Sequence, residues 1–209
     1  MKEIEKKLTD LCNALSSYGL VLTNGNRDGR IDSIADEDIF IEAIHNILPP
    51  EEYEDVVARF MCDQKILGYP VNIKVTTGKS ADNVSSNAGV YYFLTGETTN
   101  RVAWDEKTVN RILSIDDENV GDDCDYYFLI VNKNDPTDVF WTSLRYIKKG
   151  RANGHNTPFQ CNWLKENRER VERTPKEARQ YVFDLLLKSL ELAAKPYNAM
   201  KKLRERYGC

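Results

Sequence analysis

Between Gln64 and Thr77 the chain carries two short runs, Gln64 to Leu67 and Val71 to Thr77, separated by the turn residues Gly68-Tyr69-Pro70. This pattern predicts two strands joined by a tight connection. Within the second run Val71, Ile73 and Val75 alternate with Asn72, Lys74 and Thr76. Successive side chains on a strand point to opposite faces. Asn72, Lys74 and Thr76 therefore share one face, away from the apolar one.

The remaining segments supply partners for that hairpin. Asp125 to Val131 and Val139 to Leu144 are rich in Tyr, Phe, Ile and Val, and Asn132 to Pro136 between them is turn chemistry, so a second hairpin of core strands is expected. Helical spacing predicts helices over 2–18, 36–48, 51–60, 81–95, 106–113, 163–172 and 175–206. Pro49-Pro50 ends the second, Pro175 opens the last, and Pro196 predicts a kink. Helices alternating with strands imply an α/β fold, a mixed β-sheet flanked by helices with additional N- and C-terminal helices. A chain of 209 residues, 41% of them hydrophobic, fits a single domain spanning 1–209. Within it, 1–61 reads as N-terminal helices, 62–144 as the core, and 145–209 as a polar loop and C-terminal helices.

No stretch approaches the length of a membrane-spanning helix, and Met1 to Leu8 is charged, so a soluble cytoplasmic protein is expected. The five cysteines, Cys12, Cys62, Cys124, Cys161 and Cys209, form no CxxC pair, which predicts free thiols rather than disulfides or a zinc site. Only His45 and His155 are histidines, so carboxylate chemistry is the better candidate for a site. The net charge of −4 argues against a nonspecific nucleic-acid coat. Arg145 to Arg179 nevertheless holds ten Lys or Arg against four Glu, a local basic segment able to grip phosphates.

One constellation carries chemistry: Asp63, then Asn72-Ile73-Lys74 on the adjacent strand, with a Glu-bearing helix upstream. Phosphodiester hydrolysis needs a metal held by carboxylates, and benefits from a lysine near the attacking water and the phosphate. A ligand at 72 and a lysine at 74 share a strand face and would converge beside Asp63. Alone the pattern is weak, since a hairpin with solvated Asp and Lys explains it more simply, and Asn72 is a neutral amide where a second acid is usual.

The stretches GRIDSIADE (Gly29 to Glu37), Asp63, PVNIKVTTGKSADN (Pro70 to Asn83) and GVYYFLTG (Gly89 to Gly96) resemble a group of type II restriction endonucleases of the PD-(D/E)XK nuclease superfamily. DYYFLIVNK (Asp125 to Lys133), VFWTSL (Val139 to Leu144) and NGHNTPFQCNW (Asn153 to Trp163) look like later segments of the same group, in the same order. The resemblance implies a restriction-endonuclease-like core and sequence-specific hydrolysis of double-stranded DNA with Mg2+, Mn2+ being a substitute. It makes Asp63 the metal-binding Asp and Lys74 the catalytic lysine. Glu37 matches an acidic helix position able to supply the charge that Asn72 lacks; Asp32, Asp36 and Glu42 are rivals. Asn72 can still offer its carbonyl oxygen. A homodimer and a cognate DNA methyltransferase acting at the same site are further implications.

Thr76, Thr77, Lys79, Ser80 and Asn83 follow the catalytic strand and are candidates to touch phosphates or base edges, with a helix cap at Ser80 as the plainer reading. Lys148, Lys149, Arg151, Asn153, His155, Asn156 and Gln160 form a second candidate DNA-binding loop. The aromatics Tyr91, Tyr92, Phe93, Tyr126, Tyr127, Phe128, Phe140 and Trp141 are expected in the core. The acidic group Asp116, Asp117, Glu118, Asp122, Asp123 and Asp125 is expected to be a solvated loop. Other functions stay open: a repair or structure-specific nuclease, a catalytically inactive DNA-binding relative, or a helix-rich interaction domain.

Overall fold

The computed structural model describes residues 2–23, 29–57, 60–115, 124–155 and 158–207, without the side chains of 29–34, 199, 200, 202, 203 and 205–207. Asn156, the acidic residues 116–118, 122 and 123, Cys209 and the Asp32 side chain lie outside the described residues.

Helix α1 (Glu3–Ser17) buries Ile4, Leu8, Leu11 and Leu15, the periodic positions that predicted it. Helix α2 (Gly29–Ile47) begins seven residues before the expected start at 36. Asp36 therefore lies inside the helix, fully buried, and pairs with Lys133. The expected helix over 51–60 is absent. A 3-10 turn at Pro50–Glu52 leads into strand β1 (Tyr53–Asp55), which pairs antiparallel with β2 (Gln64–Ile66). Tertiary pairing overrides local propensity here: Tyr53 stacks on His45 of α2, centroids 4.2 Å apart.

Strand β3 (Tyr69–Thr76) folds back antiparallel on β2. Past β4 (Asp82–Asn83), helix α3 (Asn87–Thr95) is shorter than the expected 81–95. Ser86 caps it by accepting from the Gly89 amide at 3.2 Å, so the cap lies six residues beyond Ser80, and Gly96 ends it in the left-handed conformation (φ 73°). Helix α4 (Glu106–Leu113) precedes the hairpin β5 (Tyr127–Asn132) and β6 (Asp135–Ser143). The candidate loop from Lys148 to Gln160 runs into strand β7 (Gln160–Cys161), which pairs with β4. Helix α5 covers only Trp163–Glu166, because the next turn is taken over by Asn167, whose amide bonds the Lys149 and Asn162 carbonyls at 2.9 and 3.0 Å. Helix α6 runs from Pro175 to Tyr207 with Pro196 inside it.

The main sheet has the order β1-β2-β3-β5-β6; β3 and β5 are parallel and the other neighbours antiparallel. This is the mixed α/β architecture expected. Pro136 is tolerated because β6 is an edge strand. Strand β5 is buried on both faces, which is why Tyr126 to Val131 reads as an unbroken apolar run. Tyr127, Leu129 and Val131 pack with α1, α2, Val71 and Ile73 in one core. Tyr126, Phe128 and Ile130 pack with α3, α6 and Trp163 in the other. No helix is long and apolar enough to cross a membrane, among the described residues.

Candidate functional site

The site grows out of the hairpin register. Gln64 pairs with Val71, so Asp63, one step earlier, falls opposite Asn72. The Asp63 amide donates to the Val71 carbonyl at 3.1 Å, and its Oδ2 accepts from the Ile73 amide at 2.7 Å. The carboxylate thus takes a place in the ladder that a backbone carbonyl would fill. Beyond Ile73 the ladder with β2 has ended, and β3 continues with β5 alone on its other side. The open edge leaves room for a group from outside the sheet.

Because Val71 and Ile73 point into the first core, Asn72, Lys74 and Thr76 point to the opposite side, as alternation predicted. That side is also packed: Asn72 is 8% exposed and Thr76 5%, while Lys74 is half-buried. Among the described residues the Lys74 ammonium makes no hydrogen bond or ion pair. Asn72 Oδ1 is buried without a hydrogen-bond partner. An orphaned carbonyl oxygen costs about 1–3 kcal/mol and invites a cation or donor.

Glu37 on α2 completes the group. Burial first, and then the negative charge of Asp63, push its carboxyl up to about 7, with Lys74 pulling the other way. Burial also raises the Asp63 carboxyl, opposed by the Ile73 amide and by Lys74. Two half-buried carboxyls raised by burial, one of them also by the charge of the other, have the electrostatics of a cation site. Of the rivals to Glu37, Asp36 is occupied elsewhere: it accepts from the Thr23 amide at 2.7 Å and from Lys133. Glu42 is exposed.

The donor set offered to a metal is Asp63, Glu37 and the Asn72 carbonyl, all oxygens, which suits a hard divalent cation such as Mg2+. Among the described residues no group of three or more His, Cys, Asp or Glu is placed to hold a metal. A bound Mg2+ would therefore keep several waters beside these few protein ligands, which is its usual habit.

Asp82 was not singled out by sequence reasoning. It lies on β4, its Oδ2 buried without a partner, and burial raises its carboxyl against the pull of the Thr76 hydroxyl and the Lys74 charge. The signal that could have found it is weak: a lone Asp in a polar loop, brought back to the site only by the pairing of β4 with β7.

That pairing also unites the two predicted DNA-binding segments. Asn83 is opposite Gln160, and the Gln160 amide donates to Asn83 Oδ1 at 3.1 Å. Arg151 bridges to Gln160 by backbone bonds of 2.8 and 2.9 Å. The Asn162 amide ties down the carbonyls of Gly78 and Ser80 at 3.0 and 3.1 Å. Lys79, Ser80 and Asn83 are exposed, while Thr76 Oγ1 accepts from the Gly78 amide and Thr77 Oγ1 from the Lys79 amide.

In the second segment the exposed Lys148 pairs with Glu169, and both Lys149 and Arg151 with Glu166. Arg151 and then Lys149 hold the Glu166 carboxyl down to about 2. Exposed pairs of this kind contribute little stability, so phosphates can take the cations over. Asn153 Oδ1 accepts from the His155 amide at 2.9 Å in a local turn, and the His155 side chain is exposed.

Asp125, expected in a solvated loop, is 2% exposed, and its carboxylate accepts from the Tyr126 amide at 2.8 Å. Of the aromatics expected in the core, Tyr126, Tyr127, Phe128, Phe93 and Trp141 are buried and Tyr91, Tyr92 and Phe140 partly so. Comparison of the chain with known protein families, with curated proteins and with solved structures finds no match.

Proposed function

We propose that this protein is a Mg2+-dependent endonuclease of the type II restriction class, cutting double-stranded DNA at a defined sequence. The observation that carries the reading is the convergence of Asp63, Glu37, the partnerless Asn72 oxygen and the unpaired Lys74 at the open edge of β3. The order of helix, hairpin, crossover helix and parallel strand in α2, β2, β3, α3 and β5 is compatible with a restriction-endonuclease-like core.

In this reading Asp63, Glu37 and Asn72 hold the metal, and Asp63 is oriented for it by the Ile73 amide. A bound Mg2+ supplies charge neutralisation at phosphorus and a more acidic water. Lys74 reaches the same phosphate from β3 and orients or deprotonates the attacking water for in-line displacement, leaving 5′-phosphate and 3′-hydroxyl ends. The exposed amide of Asn83 and the half-buried one of Gln160 lie on a two-stranded ribbon suited to base edges, and Lys79, Lys148, Lys149 and Arg151 are suited to the backbone. A homodimer would match the two-fold symmetry of a palindromic site. A methyltransferase protecting that site would be its functional partner.

The test is to incubate the purified chain with long, unmodified phage DNA in Mg2+, Mn2+ or EDTA, beside Asp63→Ala and Lys74→Ala, and to sequence the ends. Fragments sharing one terminal sequence, lost in EDTA and in both variants, are expected. Cleavage only at junctions or flaps would move the protein to the structure-specific nucleases. Salt-sensitive DNA binding with no cleavage under any metal would make it an inactive relative, with Asn72 as the reason.

A further inference from the structure

Asp82 stands outside the proposed reaction although its charge acts on the same lysine. The loop leading to it from β3 is held at several points. Gly78 takes φ +65°, and a side chain there would collide with Leu164 at 2.8 Å. The Asn162 amide clamps the Gly78 and Ser80 carbonyls, and β4 fixes Asp82 opposite Cys161. The carboxylate is thereby fixed rather than free to sample solvent, yet its Oδ2 is buried with no donor. Lys74 is the converse, a half-buried ammonium with no acceptor among the described residues. Burial raises the Asp82 carboxyl while Lys74 favours its charged form, so the two groups sense each other without touching.

We propose that Asp82 is a positioning residue for Lys74, its buried free oxygen accepting a hydrogen bond from the ammonium and holding it in place at the scissile phosphate. The inference rests partly on the nuclease reading. The Lys74 charge acts on Glu37 and Asp63 as well as on Asp82. A divalent cation held by Glu37 and Asp63 would repel the ammonium, and Asp82 would offset that repulsion. Without that offset, a long flexible side chain near a metal loses its alignment.

The pairing is testable without catalysis. Full-length protein is trace-acetylated in saturating Mg2+, and labelling of Lys74 is read by peptide mass spectrometry against Lys133, which is paired with Asp36. Asp82→Asn is expected to label several-fold faster than wild type at Lys74 and equally at Lys133, and Asp82→Glu to keep Lys74 protected. In cleavage assays Asp82→Asn is expected to lower kcat roughly ten- to a hundredfold with the KM for DNA unchanged, and Asp82→Glu to recover part of it. Equal Lys74 labelling in wild type and Asp82→Asn overturns the inference. Faster Lys74 labelling in Asp82→Asn, with a wild type that cuts no DNA, overturns the nuclease reading and leaves the pairing standing. Should Asp82→Asn unfold, shown by faster Lys133 labelling, Asp82→Glu decides: a protected Lys74 supports the pairing and an unprotected one overturns it.

Discussion

Asp63 Oδ2 accepts a hydrogen bond from the Ile73 amide at 2.7 Å, so a side chain of one strand occupies a backbone position in the ladder of its neighbour. The bond fixes the carboxylate between Asn72 and Lys74, the residues on either side of Ile73. It also makes the site a property of the hairpin register. A slip of one residue between β2 and β3 would move Asn72 and Lys74 to the opposite face.

Asn72 offers an oxygen without charge. Asn72→Asp is therefore expected to tighten Mg2+ binding, measured by titration calorimetry, while lowering the melting temperature of the metal-free protein, because a third carboxylate joins Glu37 and Asp63. A variant with unchanged Mg2+ affinity would remove Asn72 from the metal site.

Asp36 and Glu37 are adjacent but have different roles. Asp36→Asn leaves the Lys133 ammonium, 18% exposed, without its anion. Breaking a buried pair from one side costs about 3–5 kcal/mol, and urea unfolding should show a loss of that order. Glu37→Gln removes a carboxyl disfavoured by burial and by Asp63, so it is expected to raise stability at neutral pH and to abolish cleavage. The reverse pattern would exchange the two roles.

Burial pushes the Asp125 carboxyl up to about 6 from an ordinary value of 3.8. The folded protein holds that proton more tightly than the unfolded chain. Its contribution to stability is therefore complete below pH 4 and is lost as pH rises through about 6. Asp125→Asn keeps an acceptor for the Tyr126 amide and does not ionise. It should match wild type below pH 4 and exceed it by about 3 kcal/mol well above pH 6. Parallel pH profiles of the two melting temperatures would refute this account.

At Gly89 of α3 an added Cβ would collide with Ser85 Oγ and sit 2.8 Å from the Tyr126 ring. The Tyr126 hydroxyl is itself tied to Ser85 and to the Met61 carbonyl, so it cannot yield. Gly89→Ala is expected to cost about 1–3 kcal/mol by denaturant unfolding. A neutral effect would mean that α3 can shift outward.

Lys79 is exposed beside the site, whereas Asn83 and Gln160 bond each other on β4 and β7. Lys79→Ala should weaken DNA binding at all sequences and flatten the salt dependence by about one counterion. Asn83→Ala or Gln160→Ala should change which sequences are cut, at a cost of about 1–3 kcal/mol at the affected base pair. Fragment-end sequencing and salt titrations separate the two outcomes.

Much of this was legible in order along the chain. Apolar spacing at Ile4, Leu8, Leu11 and Leu15 determined α1, the aromatic run at Tyr126 to Val131 determined a fully buried strand, and alternation at Val71 to Thr76 determined which residues share the face of Lys74. These are local patterns, and periodicity records them because burial on one face repeats with the geometry of the element. What depends on distant pairing was decided only by the tertiary structure. Tyr53 to Asp55 became a strand because β2 offered it an edge, and Asp36 became structural because Lys133, 97 residues away, meets it in the interior. The basic loop and the segment after β3 were separate candidates until β4 met β7 and put Asn83 against Gln160. Asp82, unremarkable in the sequence, became a neighbour of Lys74 by the same closure, since a side chain's charge environment is set by what packs around it and not by its place in the chain.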